Sequence, residues 1–433
     1  MAKVAAAPAW ALVAALLSPF ALFSQDSAEL LTRMKAMEER IKSLEAEVQT
    51  LKSQQAASPV PGTPAPGTPA PAVAQAPPPA PVEQSAPVPQ PTLGGVGGGA
   101  AKALNPDIAV IGDFLGAAGN GAGHGTPALE MHESELALQA ILDPYARADF
   151  FISFGEHGVD LEEGFVTFPA LPGHFQLRVG KMRAAFGKVN TLHNHVLPWT
   201  DRPLVTNNLV GGEDGIDDAG LALSRVFAGP KGTFLEGTAQ IFRGDSDNLF
   251  HAFRRSDVST VEHFRAYRDI TESTNLDIGA SYSRGHSFIG SDIVDQLYGV
   301  DATVRWKPLR RAIYHSFLGR SEFIWSRFDQ HHPIFQRRDL VNTPFGYYVS
   351  GDYQFARRWF IGGRFDRSER VNGTNIASLL QDTGGSLVLT YWPSEFSQIR
   401  GQLRHTSYGE HLMANEFLFQ FQFSIGAHGA HPF

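Results

Sequence analysis

The residues of this sequence best suited to metal chemistry are two histidines separated by one residue, His193 and His195. Imidazole and carboxylate groups are common zinc ligands, and copper also accepts imidazole. The same long connection ends in an acidic patch formed by Glu213, Asp214, Asp217 and Asp218. The spacing of two histidines in a loop fixes no ligand geometry. The sequence therefore leaves two interpretations open, a metal site at His193 and His195 or a polar surface loop.

The motifs of the common nucleophilic and phosphate-binding enzymes are absent from the sequence. There is no cysteine, which excludes disulfides, cysteine nucleophiles and cysteine-ligated metals. No Gly-x-Ser-x-Gly motif accompanies the serines and histidines, as an esterase or phospholipase would require. The glycine-rich residues 116–125 lack the Lys-Ser/Thr of a phosphate-binding loop. We therefore predict that the protein is not an enzyme and has no cofactor.

Most other ionisable residues after residue 105 lie in segments where apolar and polar residues alternate. In residues 416–425, phenylalanine, leucine or isoleucine alternates with glutamine and serine over much of the length. This period of two is that of a β-strand with one apolar face. We predict sixteen strands, at about 107–115, 131–142, 145–155, 160–168, 174–184, 218–227, 234–243, 261–269, 275–284, 297–307, 313–327, 345–355, 359–367, 384–392, 396–406 and 415–425.

The connections between these strands predict how they are arranged. Connections after even-numbered strands are short, whereas most of those after odd-numbered strands are longer and more polar. An even strand number with short turns at one end and long loops at the other is typical of bacterial outer-membrane barrels. The predicted fold class is therefore all-β, an antiparallel transmembrane barrel of about 16 strands over residues 105–433.

The composition agrees with such a barrel. Charged residues make up 18% of the chain, which also contains 31 Phe, 10 Tyr and 6 Trp. A mean hydropathy of −0.15 is low for a helical membrane protein, but only every second residue of a barrel strand faces lipid. The net charge of −8 argues against a nucleic-acid partner.

With the apolar strand face turned towards lipid, the charged side chains face the interior, because an ionised group facing lipid costs several kcal/mol. The predicted pore-lining residues are Arg147, Asp149, Arg178, Asp301, Arg305, Arg320, Glu322, Asp352, Arg364, Asp366, Arg400 and Arg404. The same inward face includes the acidic residues Asp113, Glu133, Glu135, Glu236 and Asp277. Seven arginines against ten acids predict a weak cation preference. The alternative role for each residue is structural, in a network of ion pairs along the inner wall.

The connection at residues 185–217 is much longer than a strand connection requires, and such loops are often functional. We predict that it folds into the barrel and narrows the pore, with Trp199, Asp201 and Arg202 at the constriction. The alternative is a mobile loop that faces outward.

Three further segments precede the predicted barrel. Residues 1–24 combine a basic residue with a short apolar run, which is typical of a secretory signal peptide. Residues 27–55 carry apolar residues at heptad spacing and predict a short coiled coil. Residues 56–104 are rich in proline and then glycine, a composition that predicts an extended linker. We expect this N-terminal part to lie in the periplasm.

This organisation resembles that of the phosphate-selective (porin O/P-like) porin family. Residues 177–187, which end in Phe-Gly after Gly-Lys, are similar to a strand end of that family. They lead into a long loop that contains Pro-Trp-Thr-Asp-Arg-Pro at residues 198–203. The resemblance implies an outer-membrane porin and a trimer, whereas the heptad residues lean towards a dimer. Phosphate-selective members carry lysine and arginine ladders, but the predicted barrel contains only four lysines, so we do not expect phosphate specificity.

The predicted function is therefore passive diffusion of small polar or ionic solutes through an outer-membrane channel with a periplasmic coiled-coil extension. The expected partners are membrane lipid, small polar solutes and other copies of the chain, with a trimer favoured and a dimer possible. Three alternatives remain open: a protein related to TonB-dependent receptors, a metal (zinc) uptake protein of the outer membrane, and a structural tether anchored by the barrel.

Overall fold

A computed structural model describes residues 106–121, 127–156, 158–246, 249–287, 293–330, 340–371 and 378–426. These residues form an antiparallel sheet in which neighbours along the chain pair with each other and β1 pairs with β17. The last pairing, with Val110 opposite Ile425, closes the sheet into a barrel. The predicted signal peptide, coiled coil and linker lie outside the described residues.

The first half of the barrel contains nine strands, namely β1 Asp107–Asn120, β2 Leu129–Asp143, β3 Ala146–Gly155, β4 Gly158–Leu171, β5 Phe175–Arg183, β6 Asp217–Ala228, β7 Phe234–Phe242, β8 Ser259–Thr271 and β9 Thr274–His286. The second half contains β10 Val294–Trp306, β11 Ser316–Gln330, β12 Leu340–Asn342, β13 Phe345–Ala356, β14 Trp359–Val371, β15 Leu379–Ser394, β16 Ser397–Ser407 and β17 Met413–Gly426. The short β12 and the longer β13 both pair with β11 and together occupy one position in the wall.

The barrel therefore has sixteen strand positions, and the predicted fold class is confirmed. Several strands extend further than the sequence predicts. For example, β1 continues to Asn120 and β15 begins at Leu379. The alternation of apolar and polar residues is weaker in these extensions, so periodicity alone underestimates the strand length.

The two faces of the strands differ as a membrane barrel requires. On β17, Phe417 is 46% exposed and Ile425 is 64% exposed, whereas the inward Gln420 is 1% exposed. The strand β14 repeats the pattern, with Phe365 outside and Arg364 inside. The outer surface is thus apolar and the interior is polar, which suits lipid outside and water or polar protein groups inside.

Aromatic pairs lie on the outer surface at both ends of the strands. At the short-turn end, the rings of Trp359 and Tyr391 stack with centroids 4.4 Å apart. At the opposite end, Trp325 stacks on Phe345 at 5.0 Å. Aromatic side chains at these two levels are characteristic of the interfaces of a membrane-spanning barrel. Among the described residues, no helix is both long enough and apolar enough to span a membrane.

Candidate functional site inside the barrel

The connection between β5 and β6, residues 184–216, is called the inner loop here. It contains the 3-10 turns Val189–Thr191 and Asn194–Val196 and the helix α1, Leu204–Leu209. The helix contacts β11, β13, β14 and β15, whereas the turn before it contacts inward side chains of β2 and β4. Because these strands lie in different parts of the closed wall, the inner loop crosses the interior of the barrel.

Apolar packing explains why the inner loop lies inside. Its larger buried apolar side chains are Phe186, Val189, Leu197, Trp199, Leu204, Val205, Leu209, Val210 and Ile216. Several of them join one hydrophobic cluster with wall residues such as Leu297 and Ile324. Trp199 meets Tyr348 edge to face, with ring centroids 5.2 Å apart. Burial of each large side chain contributes about 1.5–3 kcal/mol, which an outward loop in water would not gain.

The carboxylate of Glu322 on β11 fixes the beginning of the inner loop. Its Oε1 accepts hydrogen bonds from the backbone N–H groups of Lys188, at 2.9 Å, and Val189, at 2.7 Å. The preceding Gly187 has a φ of 61°, and a Cβ at this position would collide with the Glu322 carboxylate. Glycine is therefore required here both for its backbone conformation and for space.

Asp201 attaches the middle of the inner loop to the opposite part of the wall. Its Oδ2 lies 2.8 Å from Arg364 Nη2 and 2.9 Å from Arg404 Nη1. Its Oδ1 accepts a hydrogen bond of 2.5 Å from Gln402 Nε2. Burial by itself raises the pKa of Asp201, but the two guanidinium charges outweigh burial and lower the pKa to about 2. Asp201 therefore remains ionised over the whole physiological range.

The next residue, Arg202, points away from Asp201 and back into the inner loop. It is 4% exposed and donates hydrogen bonds to Asn194 Oδ1 at 2.9 Å, Leu192 O at 2.8 Å and Val189 O at 3.3 Å. Burial and the nearby Arg183 lower the pKa of Arg202 to about 10. The guanidinium therefore holds the two 3-10 turns of the loop together.

The predicted metal ligands His193 and His195 lie between the beginning and the middle of the loop and are buried against β2. His193 Nδ1 lies 2.5 Å from Glu135 Oε2, and His195 Nδ1 lies 3.1 Å from Glu133 Oε1. The second ring nitrogen of His193 lies 2.8 Å from Glu163 Oε2. Burial by itself lowers the pKa of His193, but its hydrogen bonds to two carboxylates outweigh burial and raise the pKa to about 10.

Two neighbouring glutamates of β4, Glu162 and Glu163, complete this acidic part of the wall. Glu162 Oε2 lies 3.2 Å from both His193 Nδ1 and Arg183 Nη2. The strict alternation used in the sequence analysis places only one of two consecutive residues inside. A shift in the β3–β4 register beside Glu163 brings both glutamates to the interior, and the sequence contains no signal for this bulge.

Several predicted pore-lining residues form ion pairs along the wall. Arg147 Nη2 lies 2.6 Å from Asp149 Oδ1, and Arg320 Nη1 lies 2.6 Å from Asp352 Oδ2. Arg178 is exposed and its guanidinium lies 5.2 Å from the centre of the Phe165 ring.

The other predicted pore-lining residues lie around the inner loop or deeper in the wall. Asp301 is 1% exposed and lies 3.6 Å from Lys188 Nζ, while Arg305 is half-buried near the end of β10. Asp366 accepts hydrogen bonds from Arg364 Nε, at 2.6 Å, and from the backbone N–H of Leu204, at 3.2 Å.

The arginines of β16 also face the inner loop. Arg400 donates to Gln420 Oε1 at 2.5 Å and to the backbone oxygen of Trp199 at 3.2 Å. Arg404 contacts Glu416 Oε2 at 2.5 Å in addition to Asp201. The predicted constriction residues therefore have different surroundings. Trp199 packs in the apolar cluster, Asp201 meets wall arginines, and Arg202 supports the loop from within.

Comparisons with known proteins place this geometry in context. No protein-family model matches the chain. An uncharacterized protein of Aquifex aeolicus (strain VF5) is 28% identical over 347 residues, which cover 70% of each chain. In vitro folded OmpT, an outer membrane protein of Vibrio cholerae, has a TM-score of 0.50 at 10% identity and covers 74% of this chain and 97% of its own. OmpF of Salmonella typhi, in complex with daunomycin, has a TM-score of 0.50 at 9% identity and covers 75% of this chain and 99% of its own.

These levels of identity establish likeness of fold, and the resemblance to the phosphate-selective porin family stays a prediction. The fold that this chain shares with its structural neighbours is the closed β-barrel of outer-membrane proteins.

Proposed function

We propose that the protein is a porin-type channel of the outer membrane that passes small polar or ionic solutes by diffusion. The observation that carries this proposal is the inner loop, which crosses a closed barrel and is tied to its wall by hydrogen bonds and ion pairs on several sides. A loop in this position narrows the interior, so the width of the channel is not set by the number of strands alone. Charged residues around it then decide which solutes pass.

The two sides of the proposed constriction carry opposite charge. On β14 and β16, Arg364 and Arg404 surround Asp201. On β2, Glu133 and Glu135 face the histidines of the loop. Most arginines named above lie within ion-pair distance of a carboxylate, so their charges are largely compensated. We therefore propose a weak cation preference and no specificity for phosphate.

Three further points belong to the same proposal. We propose that the barrel residues named in the sequence analysis line the pore and that residues 27–55 and 56–104 form a coiled coil and linker in the periplasm. Association as a trimer follows from the porin resemblance, while the heptads are also compatible with a dimer. Whether the protein forms a conducting channel at all can be tested before any of these three points.

The test is single-channel conductance in planar bilayers, with the full chain and a variant that lacks residues 190–210. We expect ion-conducting wild-type channels and a clear rise in conductance on deletion, because the loop occupies part of the interior. Phe253→Ala is the matched control, since Phe253 is an exposed aromatic of another connection, 45% accessible. This substitution should leave the conductance unchanged.

Two results would contradict the proposal. A folded wild-type barrel that leaves the bilayer closed would favour the structural tether. Equal conductance of the wild type and the deletion variant would show that the inner loop does not limit the pore. Strong anion selectivity, or block of chloride current by micromolar phosphate, would overturn the proposed weak cation preference instead.

A further inference from the structure

We propose that His193, His195 and Glu135 form a binding site for one divalent transition-metal ion, with zinc as the test ion, that fastens the inner loop to β2. One nitrogen or oxygen atom from each of the three residues lies within 4.8 Å of the other two. All three side chains are nearly or fully buried. The proposal concerns ion binding to the protein and goes beyond the channel function.

The distances between potential ligand atoms suit a small tetrahedral ion. Zinc–nitrogen and zinc–oxygen bonds of 2.0–2.1 Å place two tetrahedral ligands about 3.3 Å apart. Glu135 Oε2 lies 2.5 Å from His193 Nδ1 and 3.7 Å from His195 Nδ1. Small movements of these side chains would open the space between them. Glu133 Oε1, 3.1 Å from His195 Nδ1, offers a fourth ligand.

The charge of the surroundings also favours a cation. Four glutamates gather around the two imidazole rings, at positions 133, 135, 162 and 163. Arg183 contacts Glu162 and is itself buried. Carboxylates taken out of water need compensating positive charge. A divalent ion between Glu135 and the histidines displaces the protons from its ligand nitrogens to solvent, and it supplies two positive charges where the carboxylates are most crowded.

The residues behind the ligands have the arrangement found around metal-binding histidines. If Nδ1 of His193 binds the ion, its Nε2–H can donate to Glu163, 2.8 Å away. Such a carboxylate partner orients the ring of a metal-bound histidine and strengthens its binding. Arg202 holds the residues on either side of His193, because it donates to the side-chain oxygen of Asn194 and to the backbone oxygen of Leu192. The loop histidines are therefore positioned before any ion binds.

The test is zinc binding to the full-length, detergent-folded protein after treatment with a chelator, followed by calorimetry and metal analysis. We expect one zinc ion per chain in the wild type. His193→Asn and His195→Asn should each weaken zinc binding at least about tenfold, and Glu163→Gln should weaken it roughly 10–100-fold. His251→Asn is the matched control, since His251 also contacts a carboxylate but is 47% exposed. This control should bind zinc as the wild type does.

A second measurement separates loss of the site from loss of the fold. Each variant is run unboiled and boiled on a gel, and only variants that retain the mobility of the folded barrel enter the comparison. Glu163→Gln retains both histidines, and glutamine has nearly the same shape as glutamate. This variant therefore tests the site with little change to packing. Absence of stoichiometric zinc in the wild type would overturn the proposal, as would equal affinity of the wild type and His193→Asn. Neither measurement requires an open pore, so each result is independent of the channel function.

Discussion

Two of the contacts that hold the inner loop have opposite polarity. At one, the loop contributes the imidazole rings of His193 and His195 to a wall of glutamates on β2 and β4. At the other, the loop contributes one carboxylate, Asp201, to wall arginines on β14 and β16. Only a few residues separate the two places in the chain. A loop shifted or turned by a few residues would bring like charges together, so the two contacts define a single position of the loop.

The two contacts differ in what positions the loop residues that form them. The histidines stand on a 3-10 turn that Arg202 ties to the rest of the loop. Asp201 is positioned mainly by the wall, because both arginines and Gln402 converge on its carboxylate. We conclude that the histidine end depends on the internal structure of the loop and the aspartate end on the geometry of the barrel. The following predictions test that difference.

The largest expected effect is at the aspartate end. Asp201→Asn removes the anion that two buried arginines share, and loss of one partner of a buried ion pair costs about 3–5 kcal/mol. We expect a loss near 3 kcal/mol in the free energy of unfolding, because Asp366 and Glu416 still contact these arginines. The measurement is denaturant unfolding of the detergent-folded protein.

Asp160→Asn is the control for this prediction. Asp160 also faces a cation, Lys181 at 3.4 Å, but its side chain is 70% exposed, and exposed ion pairs contribute about 0–1 kcal/mol. A loss of unfolding free energy in Asp201→Asn that is as small as the loss in Asp160→Asn would show that the Asp201 contacts do not stabilise the barrel.

The next effect is at the histidine end. Arg202→Ala removes the charged donor from the carbonyls of Leu192 and Val189, the second of which still accepts from the backbone N–H of Leu192, at a cost of about 1.5–3 kcal/mol for hydrogen bonds to a charged group. We expect the inner loop to become sensitive to protease while the unboiled barrel keeps its gel mobility. Arg243→Ala, at an arginine whose side chain is 62% exposed, should change neither property. Global unfolding of Arg202→Ala would instead mean that the loop and the wall fold as one unit.

The smallest effect is the response of the aspartate end to acid. Because the wall arginines lower the pKa of Asp201 from 3.8 to about 2, its ion pairs stabilise the folded state at neutral pH by about 2 kcal/mol. This contribution is fully present above pH 4 and is lost as the pH falls through about 2. The difference in unfolding free energy between wild type and Asp201→Asn, measured from pH 6 to pH 2, should shrink only at the acid end. A difference that already vanishes at pH 5 would contradict the lowered pKa.

The barrel itself was predictable from the sequence to a large extent. The alternation of apolar and polar residues in β17 repeats every two residues and depends only on strand geometry and on the difference between lipid and water. The inward placement of Arg364 and Asp366 followed from the same alternation. Strand ends were less predictable, because the alternation fades where strands leave the apolar layer.

The candidate site was predictable only in its parts. The composition of residues 185–217 singled out the two histidines, Trp199 and Asp201, yet the partners of these residues lie on strands distant in sequence. Glu163 reaches His193 through a bulge that interrupts the alternation, and Gln402 carries no charge that would have drawn attention to it. Neither partner has a local sequence signal.

Apart from the bulge at Glu162 and Glu163, the sequence by itself determined which strand residues face lipid and which face the interior, because that choice depends on each strand's own period. The sequence left an inward and an outward position of the inner loop open, and only the tertiary structure decided that the loop occupies part of the interior and which charges meet. Its apolar side chains gain burial only when sixteen strand positions enclose them, and the Asp201 ion pairs form only when β14 and β16 are brought beside the loop. These interactions join residues far apart in the chain, so their energy exists only in the closed barrel.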